Sequence, residues 1–271
     1  MLKTHIRWVL VLVFGMFALC SGVAWAADVE INEANFPDAY FRAYVGGKNI
    51  DQDKDGLLTA EEIEAVVEMH LTDKGIDSLQ GIEYFTALQH LNCEENRLTE
   101  LDISLNSNLT VLRCDNNQLT KLDVSHNANL EWLKCNLNQL SELDVSNNIN
   151  LQLLECAYNQ LTKLDVSKNN ELFHLDCHGN QLTELDISQN INLEWLDCYG
   201  NQLTELDISQ NVNLEWLDNS GNQMEELNIG HKKLNTTFLL VALLLALASG
   251  AWLYYMIKTR RFDVETINDE S

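Results

Sequence analysis

A short acidic stretch in the first quarter of the chain carries the side chains best suited to bind a metal ion. Asp51, Asp53 and Asp55 alternate along it, Gly56 follows, and Glu62 closes a segment of twelve residues. Hard cations such as Ca²⁺ prefer a ring of oxygen ligands, and glycine at the sixth position allows the sharp turn that such a ring needs. The sequence therefore predicts a calcium site with these ligands: Asp51, Asp53, Asp55, the carbonyl of Leu57, Thr59 and Glu62.

These twelve residues match the EF-hand calcium loop at every diagnostic position. Flanking helices are expected over 37–45 and from residue 60 to about residue 70. A metal-free cap is the second interpretation, because Thr59 and Glu62 also fit a capping box that begins a helix without any metal. Two more features weaken the calcium interpretation: Gly46 and Gly47 would end the entering helix early, and the sequence contains no second loop to form a pair.

The centre of the chain repeats itself every 21 residues. The unit reads L-x-x-L-x-C-x-x-N-x-L-[TS]-x-L-D-[IV]-S, with seven copies from Leu88 to about Gly230. A degenerate half-copy precedes them at Ile76, Leu79, Ile82 and Phe85. In a strand, residues two apart point to the same side, so the Leu and Cys of L-x-C face one core. So short a repeat leaves little room for a helix on its return side, so we expect short strand or 3₁₀ turns there and no long helices.

This unit resembles the leucine-rich repeat, with Cys in place of one Leu, and the resemblance covers over half of the chain. The acidic segment and the entry at 82–88 are similar to the N-terminal cap of internalins and related bacterial surface proteins. The resemblance implies that the cap shields the first repeat and that ligands bind the inner curved surface. We expect an α+β chain: a leucine-rich-repeat solenoid of short parallel strands, a small helical EF-hand-like cap and one C-terminal transmembrane helix.

Stacking would align equivalent residues of successive repeats about 4.8 Å apart. Six cysteines in an exported chain invite disulfides, but parallel Cβ vectors hold the Cβ atoms too far apart, so a buried ladder of free thiols is favoured. The outward Asp of each L-D-[IV]-S segment is expected to accept turn hydrogen bonds. One asparagine column is expected to pair with the backbone of the turns: Asn96, Asn117, Asn138, Asn159, Asn180, Asn201 and Asn222.

The side chains that point away from the core form a candidate ligand-binding face. Aromatic anchors beside carboxylates suit a basic peptide or a sugar, whereas Trp rings that only cover one another need no ligand. His174 and His178 share this face, but about 13 Å separates them along a strand, too far to share one zinc ion. Isolated surface histidines are therefore favoured. The predicted members of the face are Trp132, His174, Asp176, Trp195, Asp197, Tyr199, Trp216 and Asp218.

Both ends of the chain carry apolar runs. Residues 1–26 combine a short cationic start, an apolar run and an A-x-A site, which is typical of a cleaved secretory signal peptide; an uncleaved anchor is the alternative. Residues 238–257 carry no charge and match the thickness of a bilayer as a helix. The cationic residues that follow favour the cytoplasmic side. We expect a single-pass membrane protein with its tail, 258–271, in the cytoplasm. The cap (27–75), the repeats (76–230) and a linker (231–237) would lie at the cell surface or in the periplasm.

Charge and motifs limit the function. With 41 Asp and Glu against 17 Lys and Arg, the net charge is −24, which argues against a nucleic-acid partner. No nucleophile–base pair, phosphate-binding glycine loop or metalloprotease motif is present, so we expect no enzyme. The sequence favours a membrane-anchored binding or adhesion module for an extracellular protein or glycan, with a basic partner suited to its charge and Ca²⁺ in its cap. A passive spacer or envelope scaffold without a specific ligand is the alternative.

Overall fold

The N-terminal cap contains two short helices and one antiparallel strand pair. The structure is a computed structural model that describes residues 28–230, so the predicted signal peptide, linker, membrane span and tail lie outside the described residues. Within 28–230, no helix is long and apolar enough to cross a membrane. The elements of the cap are β1 (Val29–Glu30), α1 (Ala39–Val45), β2 (Leu57–Leu58) and α2 (Ala60–Glu64).

Helix α1 begins and ends at residues suited to those positions. The carboxylate of Asp38 accepts hydrogen bonds from the N–H groups of Tyr40 and Phe41, each at 2.9 Å, and so satisfies two donors of the first turn. Gly46 ends the helix, as the sequence predicted. Phe41 and Val45 face the core and are fully buried, which fixes α1 against the first repeats.

The second helix is shorter than predicted. Helix α2 ends at Glu64, and strand β3 (Glu68–His70) replaces the expected last turns. The physical reason is that β3 pairs in parallel with the first repeat strand, which places Met69 opposite Leu91 in the core. Val67, which lies in the segment predicted as helix, is 45% exposed, whereas Val66 is buried.

Eight short parallel strands form the main sheet, in the order β3 to β9 followed by β11. From β4 onward, each strand pairs in register with its neighbour in the sheet, so equivalent residues 21 apart lie opposite one another. The repeat strands are β4 (His90–Asn92), β5 (Val111–Arg113), β6 (Trp132–Lys134), β7 (Leu153–Glu155), β8 (His174–Asp176), β9 (Trp195–Asp197) and β11 (Trp216–Asp218).

The return side of the repeats consists mostly of turns. It holds no long helix, as expected, and the expected short strands form only near the end of the array. Residues 93–230 contain no helix; a 3₁₀ turn at Ile82–Tyr84 precedes them. Near the end, β10 (Glu205–Asp207) and β12 (Glu226–Asn228) pair in parallel and form a second small sheet. The outward aspartates accept turn hydrogen bonds as predicted; Asp123 Oδ1, for example, lies 2.9 Å from the nitrogen of Ser125.

The interior confirms the predicted columns. The half-copy residues are buried, and so are the Leu and Cys that face inward from each repeat strand. Six cysteines of the described region are free and fully buried, which confirms a thiol ladder and not disulfides: Cys93, Cys114, Cys135, Cys156, Cys177 and Cys198.

Asparagine amides join successive coils in two ladders. In the predicted ladder, Asn117 Nδ2 donates to the carbonyls of Cys93 (3.0 Å) and Cys114 (3.1 Å), and its Oδ1 accepts from the nitrogen of Leu98 (3.0 Å). The second ladder was not predicted, and its members are fully buried: Asn106, Asn127, Asn148, Asn169, Asn190 and Asn211. Each donates to two backbone carbonyls, while its Oδ1 accepts no hydrogen bond within residues 28–230.

Candidate functional site

The acidic loop of the cap brings three predicted ligands together. Asp51, Asp53 and Asp55 each place a carboxylate oxygen within 4.8 Å of the other two. Asp51 is 3% exposed, and its Oδ1 accepts no hydrogen bond within the described residues. A buried carboxylate oxygen without a donor is costly, and a cation would satisfy it. The donor set and this orphaned oxygen therefore fit a Ca²⁺ ion.

Backbone hydrogen bonds shape the loop around these carboxylates. Asp51 Oδ2 accepts from the nitrogen of Gly56 (3.3 Å), and Asp55 Oδ1 accepts from the nitrogen of Leu57 (2.8 Å). Gly56 has φ +82°, which a residue without Cβ adopts freely. Leu57 begins β2, which pairs with β1, and Leu58 is fully buried. An N-terminal strand thus braces the loop through Leu57 and Leu58.

Glu62 and Thr59 form the capping box that the alternative interpretation expected. Glu62 Oε2 accepts from the nitrogen of Thr59 (3.0 Å), and Thr59 Oγ1 accepts from the nitrogen of Glu62 (3.2 Å). Glu62 Oε1 also accepts from the nitrogen of Gln52 (2.8 Å). These bonds, first of all those from Thr59, lower the pKa of Glu62. The carboxylate is therefore held ionised at the end of the loop.

Three aromatic rings stack across neighbouring strands of the main sheet. The indoles of Trp195 and Trp216 lie 3.7 Å apart between centroids at an interplanar angle of 7°. His174 stacks on the other face of this pair, 5.7 Å from Trp195 at 9°. The rings cover one another, yet Trp195 remains 37% exposed. We call His174, Trp195 and Trp216 the aromatic strip.

A row of carboxylates lies directly beside the aromatic strip. Register pairing sets Asp176, Asp197 and Asp218 opposite one another, and we call them the acidic strip. Burial, reinforced by the charge of Asp176, raises the pKa of Asp197 to about 6. Burial also lowers the pKa of His174. Tyr199 is 45% exposed, and its N–H donates to Asp197 Oδ1 at 3.0 Å.

Trp132 lies apart from the other predicted members of the face. Its register neighbours are Val111 and Leu153, so no aromatic ring lies opposite it on either adjacent strand. On the same strand, Lys134 forms an ion pair of 2.7 Å with Glu155. The fold therefore brings seven predicted residues together at repeats β8, β9 and β11, and it separates Trp132 from them.

His178 belongs to this face in a way that the sequence did not reveal. Its Nδ1 lies 2.6 Å from Asp176 Oδ1 and 3.8 Å from Asp197 Oδ2. The expectation of isolated histidines considered spacing along one strand, whereas this contact reaches the neighbouring strand. The 21-residue register predicts only that Asp197 lies opposite Asp176; the course of the chain after β8 then brings His178 to both carboxylates.

Comparison with known proteins gives matches among solved structures. No protein-family model and no curated protein matches the chain. The functional domain of InlJ from Listeria monocytogenes, which includes a cysteine ladder, is 31% identical over 76% of this chain and 55% of its own, with a TM-score of 0.47. Internalin C2 from the same organism is 19% identical over 75% and 92%, with a TM-score of 0.66.

A third match comes from another bacterium. The leucine-rich-repeat protein LIC12759 from Leptospira interrogans is 26% identical over 65% of this chain and 52% of its own, with a TM-score of 0.56. The chain thus spans about half the length of the InlJ and Leptospira structures. The matches to internalin C2 and LIC12759 establish a common fold.

Proposed function

We propose that this chain, which shares the leucine-rich-repeat fold of internalin C2 and LIC12759, is a membrane-anchored, extracytoplasmic binding module for a basic protein segment. The observation that carries the proposal is the position of the aromatic strip directly beside the acidic strip on one sheet face. In the middle of the sheet, Trp132 on β6 lies between aliphatic neighbours and has no such arrangement around it.

The two strips match the two parts of a Lys or Arg side chain. The aliphatic stem packs on an exposed indole, and the cationic head reaches a carboxylate beside it. The side chains of Asp176 and Asp197 are each only 19% exposed, so their charges are less screened than those of fully solvated residues. A chain with a net charge of −24 also attracts basic partners over a longer range.

The ligand test uses the purified full chain and defined probes. The probes are two peptide libraries of equal length, one rich in Lys and Arg and one rich in Asp and Glu, together with neutral oligosaccharides. The basic library should be captured selectively. Trp216→Ala should weaken capture at least about tenfold, as expected for an aromatic anchor, and Asp218→Asn should weaken it severalfold.

Two matched control variants test whether binding depends on these particular residues or on any indole or carboxylate of the chain. Trp132→Ala removes an indole outside the aromatic strip, and Glu171→Gln removes one charge at an exposed position on a connecting segment. Both variants should bind like the wild type. Equal capture of the two libraries, or full retention in Trp216→Ala and Asp218→Asn, would overturn the proposal. Capture of oligosaccharides alone would assign the face to glycans, and capture of no probe would favour a passive spacer.

We also propose that Ca²⁺ occupies the loop of the cap, where Asp51, Asp53, Asp55, the Leu57 carbonyl, Thr59 and Glu62 would hold it. For an affinity typical of extracellular modules, about 10⁻⁴–10⁻³ M, Ca²⁺ at ten times Kd should stabilise the fold by about 1.4 kcal/mol. Thermal unfolding with Ca²⁺ or with chelator measures this shift.

A pair of neighbouring variants tests the calcium ligand set. Glu62→Gln retains a residue that supports a capping box but loses the charge, so it should lose most of the calcium-dependent shift in Tm. Glu61→Gln changes an exposed neighbour and should retain that shift. An unchanged shift in Glu62→Gln would argue for the metal-free cap.

Membrane anchoring rests on the apolar run at 238–257. The full chain should sediment with membranes and resist alkaline extraction, whereas a chain lacking 238–257 should not. Protease added to intact cells or spheroplasts should remove the repeats while sparing a tag on the C-terminal tail. Sedimentation of both chains alike would exclude this segment as the anchor.

A further inference from the structure

A cluster of one imidazole and two carboxylates spans strands β8 and β9, next to the aromatic strip. Asp176, His178 and Asp197 each offer a ligand atom, and these atoms all lie within 4.8 Å of one another. Ca²⁺ prefers an all-oxygen set, whereas mixed imidazole and carboxylate ligands suit Zn²⁺ and related ions. We infer that these three residues form a second metal site, one for a divalent transition-metal ion such as Zn²⁺.

The distances within the cluster suit such an ion after small movements. Two ligands at about 2.0–2.1 Å from a tetrahedral Zn²⁺ lie about 3.3 Å from each other. His178 Nδ1 is 2.6 Å from Asp176 Oδ1 and 3.8 Å from Asp197 Oδ2, so the two distances fall on either side of that value. Small side-chain rotations would bring all three atoms, which lie within 4.8 Å of one another, to one ion, with a water as the fourth ligand.

The surrounding contacts hold these ligands in place. Asp197 Oδ1 accepts from the nitrogen of Tyr199 (3.0 Å), and within residues 28–230 no hydrogen bond occupies its Oδ2. The backbone N–H of His178 also donates a hydrogen bond to Asp176 Oδ1, at 3.2 Å. The ring of Tyr158 meets the His178 ring edge-on, with centroids 4.5 Å apart. Metal sites depend on such supporting contacts, because they orient the ligands before the ion arrives.

The negative charge around the cluster also favours binding of a cation. Asp218 continues the acidic strip beside Asp197, so three carboxylates lie in neighbouring register positions. Lys134, on the same face, is engaged by Glu155 at 2.7 Å. The hydrogen bond between His178 Nδ1 and Asp176 requires a proton, and a metal ion would take the place of that proton. In a neutral imidazole the displaced proton moves to Nε2, which leaves the lone pair of Nδ1 free for the metal.

The test is a Zn²⁺ titration of the purified full chain by calorimetry, in excess Ca²⁺ so that the cap loop does not compete. We expect saturable binding of one ion. His178→Gln and Asp197→Asn should each weaken binding at least about tenfold. His126→Gln, at an exposed histidine elsewhere on the solenoid, should leave binding unchanged.

Co²⁺ supplies a second measurement that does not depend on the variants folding well. A spectrum without thiolate-to-metal charge transfer would agree with imidazole and carboxylate ligands, while such a band would place the metal on the cysteines and overturn the site. The stacked indoles of Trp195 and Trp216 report by circular dichroism whether each variant retains its fold. Absence of saturable Zn²⁺ binding, or equal affinity in folded His178→Gln and Asp197→Asn, would also overturn the inference.

Discussion

The indole of Trp216 lies parallel to that of Trp195, with 3.7 Å between the ring centroids, because β11 pairs in register with β9. The strand that lies between them in the chain, β10, pairs with β12 on the return side instead. One period of the repeat thus converts a separation of 21 residues into direct contact. The same register sets Asp218 opposite Asp197, so the aromatic and acidic strips arise from one geometric rule.

Trp216→Ala should abolish the electronic coupling between the two indoles. Stacked rings at this distance give an exciton couplet in circular dichroism, and the variant leaves Trp195 without its partner. The free energy of unfolding should fall by roughly 0.5–1.5 kcal/mol beyond the loss of buried area. Trp132→Ala is the matched control, since Trp132 has aliphatic register neighbours. A couplet that survives in Trp216→Ala would contradict the stacked geometry.

Asn148→Ala should destabilise the solenoid by about 2–4 kcal/mol. Asn148 is fully buried and donates to the carbonyls of Val124 (3.0 Å) and Asn127 (2.8 Å), and its removal leaves both without that donor. Asn150→Ala is the control two residues away: that side chain is exposed and makes one hydrogen bond, to Ala128 at 3.3 Å, so its loss should cost less than about 0.5 kcal/mol. Chemical denaturation measures both values, and similar costs would contradict a structural role for the second ladder.

The comparison of these two asparagines shows what the sequence could and could not predict. The 21-residue period predicts strand register, the inward Leu and Cys columns and the Asn117 ladder, because all follow from stacking one short unit. Asn148 lies among several asparagines in the polar turn. Its column holds Asn in all six copies, whereas the column of Asn150 holds Glu at 171, a signal of burial that the sequence analysis did not use. The predicted length of α2 was wrong for a related reason. Strand β3 pairs with β4, and this pairing overrides the local helical pattern after Glu64.

In the candidate sites, too, some contacts could be predicted from the sequence and others could not. Register alone predicts that Trp195 faces Trp216, whereas the contact of His178 with Asp197 depends on how the chain turns after β8. Likewise, the acidic residues of the cap loop are evident in the sequence, but the burial of Asp51 depends on β1 pairing with β2. Patterns set by the period are predictable, and contacts made by turns and by distant segments are not.

Cys156 should behave as a small apolar side chain and not as a reactive thiol. It is fully buried, and burial raises the pKa of its thiol well above the ordinary range. The native chain should therefore resist alkylation at pH 8 and react only after unfolding in guanidinium. Cys156→Ser should cost about 1–3 kcal/mol, because it buries a hydroxyl, and Cys156→Ala should cost less. Rapid labelling of the native chain, or a Ser variant more stable than the Ala variant, would contradict this role.

Asp115 makes stability depend on pH in a direction opposite to that of the turn aspartates. Burial raises the pKa of Asp115 to about 7, and the neighbouring charge of Glu94 adds to the rise. In the unfolded chain this pKa is about 4. Between these values the folded state binds more protons than the unfolded state, so the contribution of Asp115 to stability falls as pH rises from about 4 to about 7.

Asp115→Asn should therefore stabilise the chain at pH 8, by an amount on the order of 2 kcal/mol, and change little at pH 4. An amide oxygen can still accept the hydrogen bond that the nitrogen of Asn136 donates to Asp115 at 2.8 Å. Asp123→Asn is the control with the opposite sign: hydrogen bonds from Ser125 lower the pKa of Asp123, so its carboxylate stabilises the fold above about pH 4 and loses that effect as pH falls. Denaturant unfolding of the three chains from pH 4 to pH 8 measures the difference, and a gain from Asp115→Asn that does not vary with pH would show that Asp115 is ionised throughout.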